Sequence, residues 1–268
     1  MLIMLTCCSV GVGGVNTIFI VGTAGSGKST LTSAYGDWLR SQDKFVVLVN
    51  LDPAAQVLPY EPDVDIRDFV DYERIMSTRR LGPNAALIAS IREAARHVED
   101  LREEINSYNA DYVIVDTPGQ LELFAFRQEG YIIAENIGFK DRKVMVFVLD
   151  PMFCSVVKNF ISSMFLSASV YFSLGIPMVH ALNKIDAISL EDVEKLEAWS
   201  ESFDTLLLDL ESMTRGRLMS FSREVAETLR DIIASIPIVP VSSTTMEGLS
   251  ELHAALTRFF LEEDLELR

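Results

Sequence analysis

The segment Gly22-Thr23-Ala24-Gly25-Ser26-Gly27-Lys28-Ser29 constrains this chain more than any other. It follows the apolar run Ile18-Phe19-Ile20-Val21 and opens a stretch of helical character. Its spacing is G-x-x-x-x-G-K-[ST], a loop that cradles phosphate when a strand enters it and a helix leaves it. Three glycines let main-chain N–H groups close on an anion without Cβ clashes, and the helix dipole adds positive potential there. Lys28 is expected to reach the β- and γ-phosphates of a nucleotide. The Ser29 hydroxyl is expected to ligate Mg²⁺, with Thr30 lining the same cradle.

The rest of the chain repeats that strand-then-helix alternation. Apolar, β-rich runs fall at 17–21, 45–50, 112–115, 144–149, 178–182 and 238–241. Most are continuous rather than alternating, as in strands covered on both faces of a parallel sheet. Helical periodicity lies between them, at 28–40, 85–107, 190–212, 215–234 and 246–261. The pattern predicts an α/β fold with a doubly wound, mainly parallel sheet of the P-loop NTPase kind, carrying helical insertions. Residues 17–268 read as one domain. Residues 1–16 read as a short, poorly ordered extension, because they carry no Lys or Arg and so lack the basic start of a secretory signal.

Composition narrows the partners. Lys and Arg number 23 against 39 Asp and Glu, a net charge of −16. That balance argues against phosphate-driven nucleic-acid binding, which needs clustered basic residues. Three cysteines, Cys7, Cys8 and Cys154, give neither a disulfide framework nor metal spacing. A reducing compartment, the cytoplasm, is the expectation. Residues 159–179 hold no charge and approach the length of a membrane span. Five serines, Gly175 and Pro177 argue instead for a buried helix followed by a strand, so no membrane partner is expected.

Two further motifs sit at strand ends. Asp116-Thr117-Pro118-Gly119-Gln120 closes the run 112–115. Asp116 can hold Mg²⁺ through water, and the Gly119 N–H can bond a γ-phosphate, making this loop a sensor of that phosphate. Gln120 stands where a water attacking the γ-phosphate would be oriented. Asn183-Lys184-Ile185-Asp186 closes the run 178–182. The Asp186 carboxylate can accept from the ring N–H and the exocyclic amine of guanine together, whereas adenine would leave it unpaired. The Lys184 stem can pack along the base plane, and Asn183 can bridge the base to the phosphate loop. After the last strand, Ser242 and Ser243 can back the guanine oxygen with a main-chain N–H. The nucleotide these motifs describe is GTP or GDP.

Three other segments join these motifs: Asn50-Leu51-Asp52-Pro53-Ala54, Pro59-Tyr60-Glu61-Pro62-Asp63-Val64-Asp65-Ile66-Arg67, and Leu81-Gly82-Pro83-Asn84. Together they resemble the GPN-loop GTPases over roughly residues 17–261. The chain departs from that family at Ala85, where Gly is common, and in its N-terminal extension. The resemblance implies a homodimer whose nucleotide sites face each other, with Gly82, Pro83 and Asn84 reaching across to the partner's phosphates. It also implies that Asp52 lies near Mg²⁺ and the attacking water, and that a protein client is the output. From the residues alone, Asn84 could equally cap the following helix and Asp52 could be an ordinary turn residue. Arg67 could act at the site or form a structural ion pair.

The reading is hydrolysis of GTP, with Lys28, Asp52, Asn84 and Gln120 as catalytic candidates. Two rivals share the phosphate loop. A small-molecule kinase would need an acceptor pocket and usually lacks N-K-x-D. A nucleotide-gated scaffold would bind GTP and hydrolyse it only slowly.

Overall fold

The computed structural model describes residues 14–138, 141–213 and 217–266. Seven strands form one sheet: β1 (Asn16–Gly22), β2 (Val46–Asn50), β3 (Val64–Asp65), β4 (Tyr112–Asp116), β5 (Arg142–Leu149), β6 (Met178–Leu182) and β7 (Ile238–Pro240). Their spatial order is β3-β2-β4-β1-β5-β6-β7 and every pairing is parallel. The fold is therefore the doubly wound α/β arrangement. On one side the chain runs from central β1 to β2 and β3 and returns to β4 beside β1; on the other it winds outward through β5, β6 and β7. Ligands in such sheets bind beyond the carboxyl ends of the strands, where the winding reverses. Gly22, Asp116 and Asn183 all lie at that edge.

The continuous apolar strands earn their burial because both faces are covered. Phe19 and Val21 face one core layer, while Ile18 and Ile20 face the other. The first layer takes the helices Pro83–Ala94, Val98–Ser107 and Val157–Leu174. The second takes Lys28–Ser41 and Leu249–Glu266 through Leu31, Tyr35, Leu39, Leu252 and Leu256. Fully burying an aliphatic or aromatic side chain contributes roughly 1.5–3 kcal/mol, so these layers hold the phosphate-loop strand rigidly from both sides.

Several predicted elements differ in detail. The helix predicted over 85–107 is two helices, Pro83–Ala94 and Val98–Ser107, joined by a 3-10 turn at Ala95–His97. Ala94, Val98, Leu101 and Ile105 stay on one buried stripe across the break, so periodicity alone does not register it. The two helices predicted over 190–212 and 215–234 are, among the described residues, four: Leu190–Glu201, Phe203–Met213, Arg217–Glu227 and Arg230–Ser235. Ser202 breaks the first from the second, its hydroxyl accepting from the Thr205 N–H at 3.3 Å. Tyr72–Thr78, Leu121–Ala125, Gln128–Asn136, Pro151–Cys154 and the two-residue β3 were not foreseen. The uncharged stretch 159–179 does form a buried helix and then a strand, with Gly175 ending the helix at φ 66°. No helix among the described residues is long and apolar enough to cross a membrane. Strand β1 begins at Asn16, paired with Tyr112. Of the extension expected over residues 1–16, residues 1–13 lie outside the described residues.

Candidate functional site

The phosphate loop has the backbone its glycines permit. Gly22, Gly25 and Gly27 adopt φ of 152°, 78° and 94°. A Cβ on Gly27 would collide with Asn183 Nδ2. Thr23, Ala24, Gly25 and Thr30 are exposed, whereas Ser26 and Lys28 are buried. The Lys28 ammonium donates to the Thr23 carbonyl at 3.1 Å, folding across the mouth of the loop. Burial holds its pKa below the usual lysine value, against the opposing pull of Asp116 and Asp52.

Asp116 ends β4 beside this loop. It is 1% exposed, and burial pushes its pKa up to about 6 despite hydrogen bonds from Ser29 and Tyr60 and the charge of Lys28. The Tyr60 hydroxyl donates to Oδ2 at 3.1 Å. Oδ1 is fully buried and has no hydrogen-bond partner. An orphaned carboxylate oxygen is costly unless something occupies it. With the Ser29 hydroxyl on the same carboxylate and Asp52 close by, the donors are all hard oxygens. That set fits Mg²⁺, which is held through one or two carboxylates and keeps several waters. No group of three His, Cys, Asp or Glu that could hold a metal occurs among the described residues, and a water-rich Mg²⁺ site does not need one.

Asp52 follows β2 and serves two partners. Oδ1 accepts from the Ala54 N–H at 2.9 Å, as in an Asx turn. Oδ2 faces the Gly119 N–H at 3.4 Å. Asp52 is thus a turn residue whose carboxylate also stands beside Gly119. Gly119 also lies against the phosphate loop, since a Cβ built on it would sit 3.9 Å from that of Ala24. Gln120 donates through Nε2 to Asn84 Oδ1 of the same chain at 3.2 Å. Asn84 does not cap its helix. Gly82 occupies the N-cap in extended conformation and Pro83 the first helical position, leaving Asn84 exposed in the first turn.

The Asn183–Asp186 segment is tied to the phosphate loop by two side chains, Asn183 and Lys184. Asn183 donates to the Ser26 and Gly27 carbonyls at 3.2 and 3.4 Å. Its Oδ1 accepts from the Ser243 N–H at 3.1 Å and the Ser243 hydroxyl at 2.7 Å. Ser242 donates its hydroxyl to Asp186 Oδ1 at 2.6 Å, and its N–H to the Glu247 carbonyl at 3.0 Å. The N–H groups of both serines are thus engaged within the fold. Lys184, in a left-handed conformation at φ 65°, donates to the Gly25 carbonyl at 2.5 Å and to Asp150 at 2.9 Å.

A family described as a conserved hypothetical ATP binding protein matches residues 20–260. A GPN-loop GTPase of Pyrococcus abyssi is 34% identical over 242 residues, covering 88% of this chain and 93% of that protein.

The chain belongs to the GPN-loop GTPases.

GPN-loop GTPase 1 of Dictyostelium discoideum is 32% identical over 236 residues, and the match covers 87% of this chain but 59% of that protein. The crystal structure of a GTPase in apo form from Pyrococcus abyssi superimposes with a TM-score of 0.81 at 30% identity, over 91% of this chain and 97% of that one. The carboxylate at Asp186, with no amide or hydroxyl in its place, suits the ring N–H and amine of guanine.

Sequence reasoning missed Tyr60 and Asp150. Tyr60 lies in a loop without periodicity and reaches Asp116 across 56 positions. Asp150 follows β5, where it accepts from Lys184 and, through Oδ1, from the Met152 N–H at 3.0 Å. A carboxylate at a strand end beside N-K-x-D was a signal that could have marked it. Arg67 forms a structural ion pair. Its guanidinium holds Asp65 and donates to the Ala55 carbonyl at 2.9 Å, bracing the turn that carries Asp52. That pairing lowers the Asp65 pKa against its burial.

Proposed function

We propose that this chain hydrolyses GTP to GDP and phosphate with Mg²⁺, as a homodimer, and that the γ-phosphate sets its conformation. The Asn183 network carries the reading. Asn183, with Lys184 beside it, holds the phosphate loop and the base-reading loop in fixed register, so triphosphate and guanine would be recognised as a single ligand. Asp186 would take the ring N–H and amine, held in place by Ser242. The Thr244 N–H is the next in that loop after the two that are engaged, and would back the guanine oxygen.

The reaction is attack of water on the γ-phosphorus in line with the bond to the β,γ-bridging oxygen. That bond breaks, its electron pair leaves on GDP, and the water's proton passes to the phosphate oxygens. Lys28 would leave the Thr23 carbonyl for the phosphates, and the loop N–H groups would stabilise the developing charge. Bound at Ser29 and Asp116, Mg²⁺ would neutralise charge on the β- and γ-oxygens. Gln120 and Asp52 would orient the water; both are weak bases, so positioning matters more than proton removal. Asn84 would act from the partner subunit.

The Asp52–Gly119 contact supports a switch. Its carboxylate stands on the N–H that a γ-phosphate would claim, so nucleotide and Asp52 compete for one donor. A change at that donor would be relayed to Gln120 and Asn84, and from there to a protein client. Phosphate release from GTP, with ATP in parallel, tests the reading. GTP turnover without an acceptor, dependent on Mg²⁺ and abolished in Lys28→Ala, is expected. Turnover only on adding a phosphate acceptor would mean a kinase, and equal use of ATP would remove Asp186 as the base reader.

A further inference from the structure

Asp116 has two carboxylate oxygens with different surroundings. Oδ1 is buried and unpartnered, while Oδ2 is held by Tyr60 at 3.1 Å. A carboxylate at a strand end can turn about its terminal bond and exchange its oxygens. The phenol, together with the Ser29 hydroxyl on the same carboxylate, opposes this, and Oδ1 stays without a hydrogen-bond partner. We propose that Tyr60 is a positioning residue for the cation site, holding Asp116 so that Oδ1 is presented to Mg²⁺. This rests on the GTPase reading above.

The phenol can do this because its own position is fixed. Its ring packs against the core layer of Leu31, Tyr35 and Leu39. Prolines flank it at Pro59 and Pro62 and restrict the backbone on both sides. The Pro59 carbonyl accepts from Ser33, on the helix that follows the phosphate loop, at 3.3 Å. At the loop's far end, the Asp63 N–H donates to the Leu48 carbonyl at 2.8 Å, and the Asp63 carboxylate accepts from the Leu48 N–H at 2.8 Å. This same loop begins at Asp52, which stands on Gly119. One loop between β2 and β3 therefore touches both the cation carboxylate and the phosphate sensor. Partners that orient a ligating carboxylate commonly affect metal affinity by 10- to 100-fold.

The test titrates Mg²⁺ against release of a fluorescent GDP analogue from full-length protein, starting in EDTA. In Tyr60→Phe the Mg²⁺ concentration that halves the release rate is expected to rise about tenfold, with affinity in EDTA matching the wild type. A midpoint within twofold of wild type would overturn the proposal. So would a Tyr60→Leu variant that shifts the midpoint while Tyr60→Phe does not, since the ring's packing would then be responsible. An equal loss of affinity in EDTA would likewise assign Tyr60 to loop packing. Wild-type protein that fails to bind the GDP analogue would sink the GTPase reading and this inference together. Wild-type binding with an unmoved Tyr60→Phe midpoint would sink this inference alone.

Discussion

Asp186 is exposed, yet its carboxylate is held: Oδ1 accepts from Ser242, and the Ser242 hydroxyl is in turn the acceptor for the Thr245 N–H at 3.0 Å. As the proposed base reader, a carboxylate fixed before the base arrives loses less entropy on binding. Asn at this position would keep the shape and one acceptor but turn the second acceptor into a donor. Against guanine, that donor would face the exocyclic amine. Two hydrogen bonds to a charged group are worth roughly 1.5–3 kcal/mol each. Asp186→Asn is therefore expected to lower GTP affinity by about 10²- to 10⁴-fold. Xanthosine triphosphate carries a carbonyl where guanine has the amine, so it should become the preferred ligand. Competition between the two triphosphates measures this, and unchanged GTP preference would remove Asp186 from base recognition.

His180 shows what the elements contribute beyond the site. It lies on β6, fully buried, with Nε2 2.8 Å from Ser167 Oγ on the helix Val157–Leu174 and its ring edge-on to Phe147 of β5. Burial lowers its pKa to about 3. A histidine whose folded pKa is depressed contributes stability above its unfolded value, about 6.5, and loses it as pH falls towards the folded one. Between pH 7 and pH 5 the loss is about 2 kcal/mol. Asp116, raised to about 6, acts in the opposite sense over the same window, because its folded form takes up a proton first. The wild-type change is therefore partly cancelled, and the informative quantity is a difference. Relative to its own stability at pH 7, His180→Gln should lose about 2 kcal/mol less than the wild type at pH 5, by urea denaturation. Equal losses would mean that His180 titrates normally. The strands were legible because continuous apolar runs at both-face burial have few alternatives, and the three motifs were legible because each ends a strand. The breaks at Ala95–His97 and Ser202 were not, since an apolar stripe passes through a 3-10 turn or a capped junction without losing phase. Tyr60 was invisible for another reason: its partner is set by the β2–β3 loop crossing the sheet edge, which no local pattern encodes.

At the scale of the whole molecule, the proposed homodimer can be tested through the subunit that supplies Asn84. Within one chain it lies on Gln120 at 3.2 Å, at the exposed rim of the site. A residue there can serve its own nucleotide or, in a facing dimer, the partner's. Mixed dimers separate the two. Lys28→Ala should destroy phosphate handling in its own subunit while leaving that subunit's Asn84 intact. Asn84→Ala should do the reverse. If Asn84 works across the interface, a mixed dimer contains one complete site, built from Lys28 of one subunit and Asn84 of the other. If it works within its own chain, neither subunit is complete. Each chain carries a net charge of −16, so mixing should be done at moderate salt, where repulsion between subunits is screened. Equal amounts of two inactive variants, allowed to exchange fully, form mixed dimers as about half of the population. Each mixed dimer holds one working site of two, so about a quarter of wild-type GTP turnover is expected to return. Turnover that stays at the level of the separate variants, with exchange verified by mass, would place Asn84 in cis and leave the Gln120 contact as its working geometry.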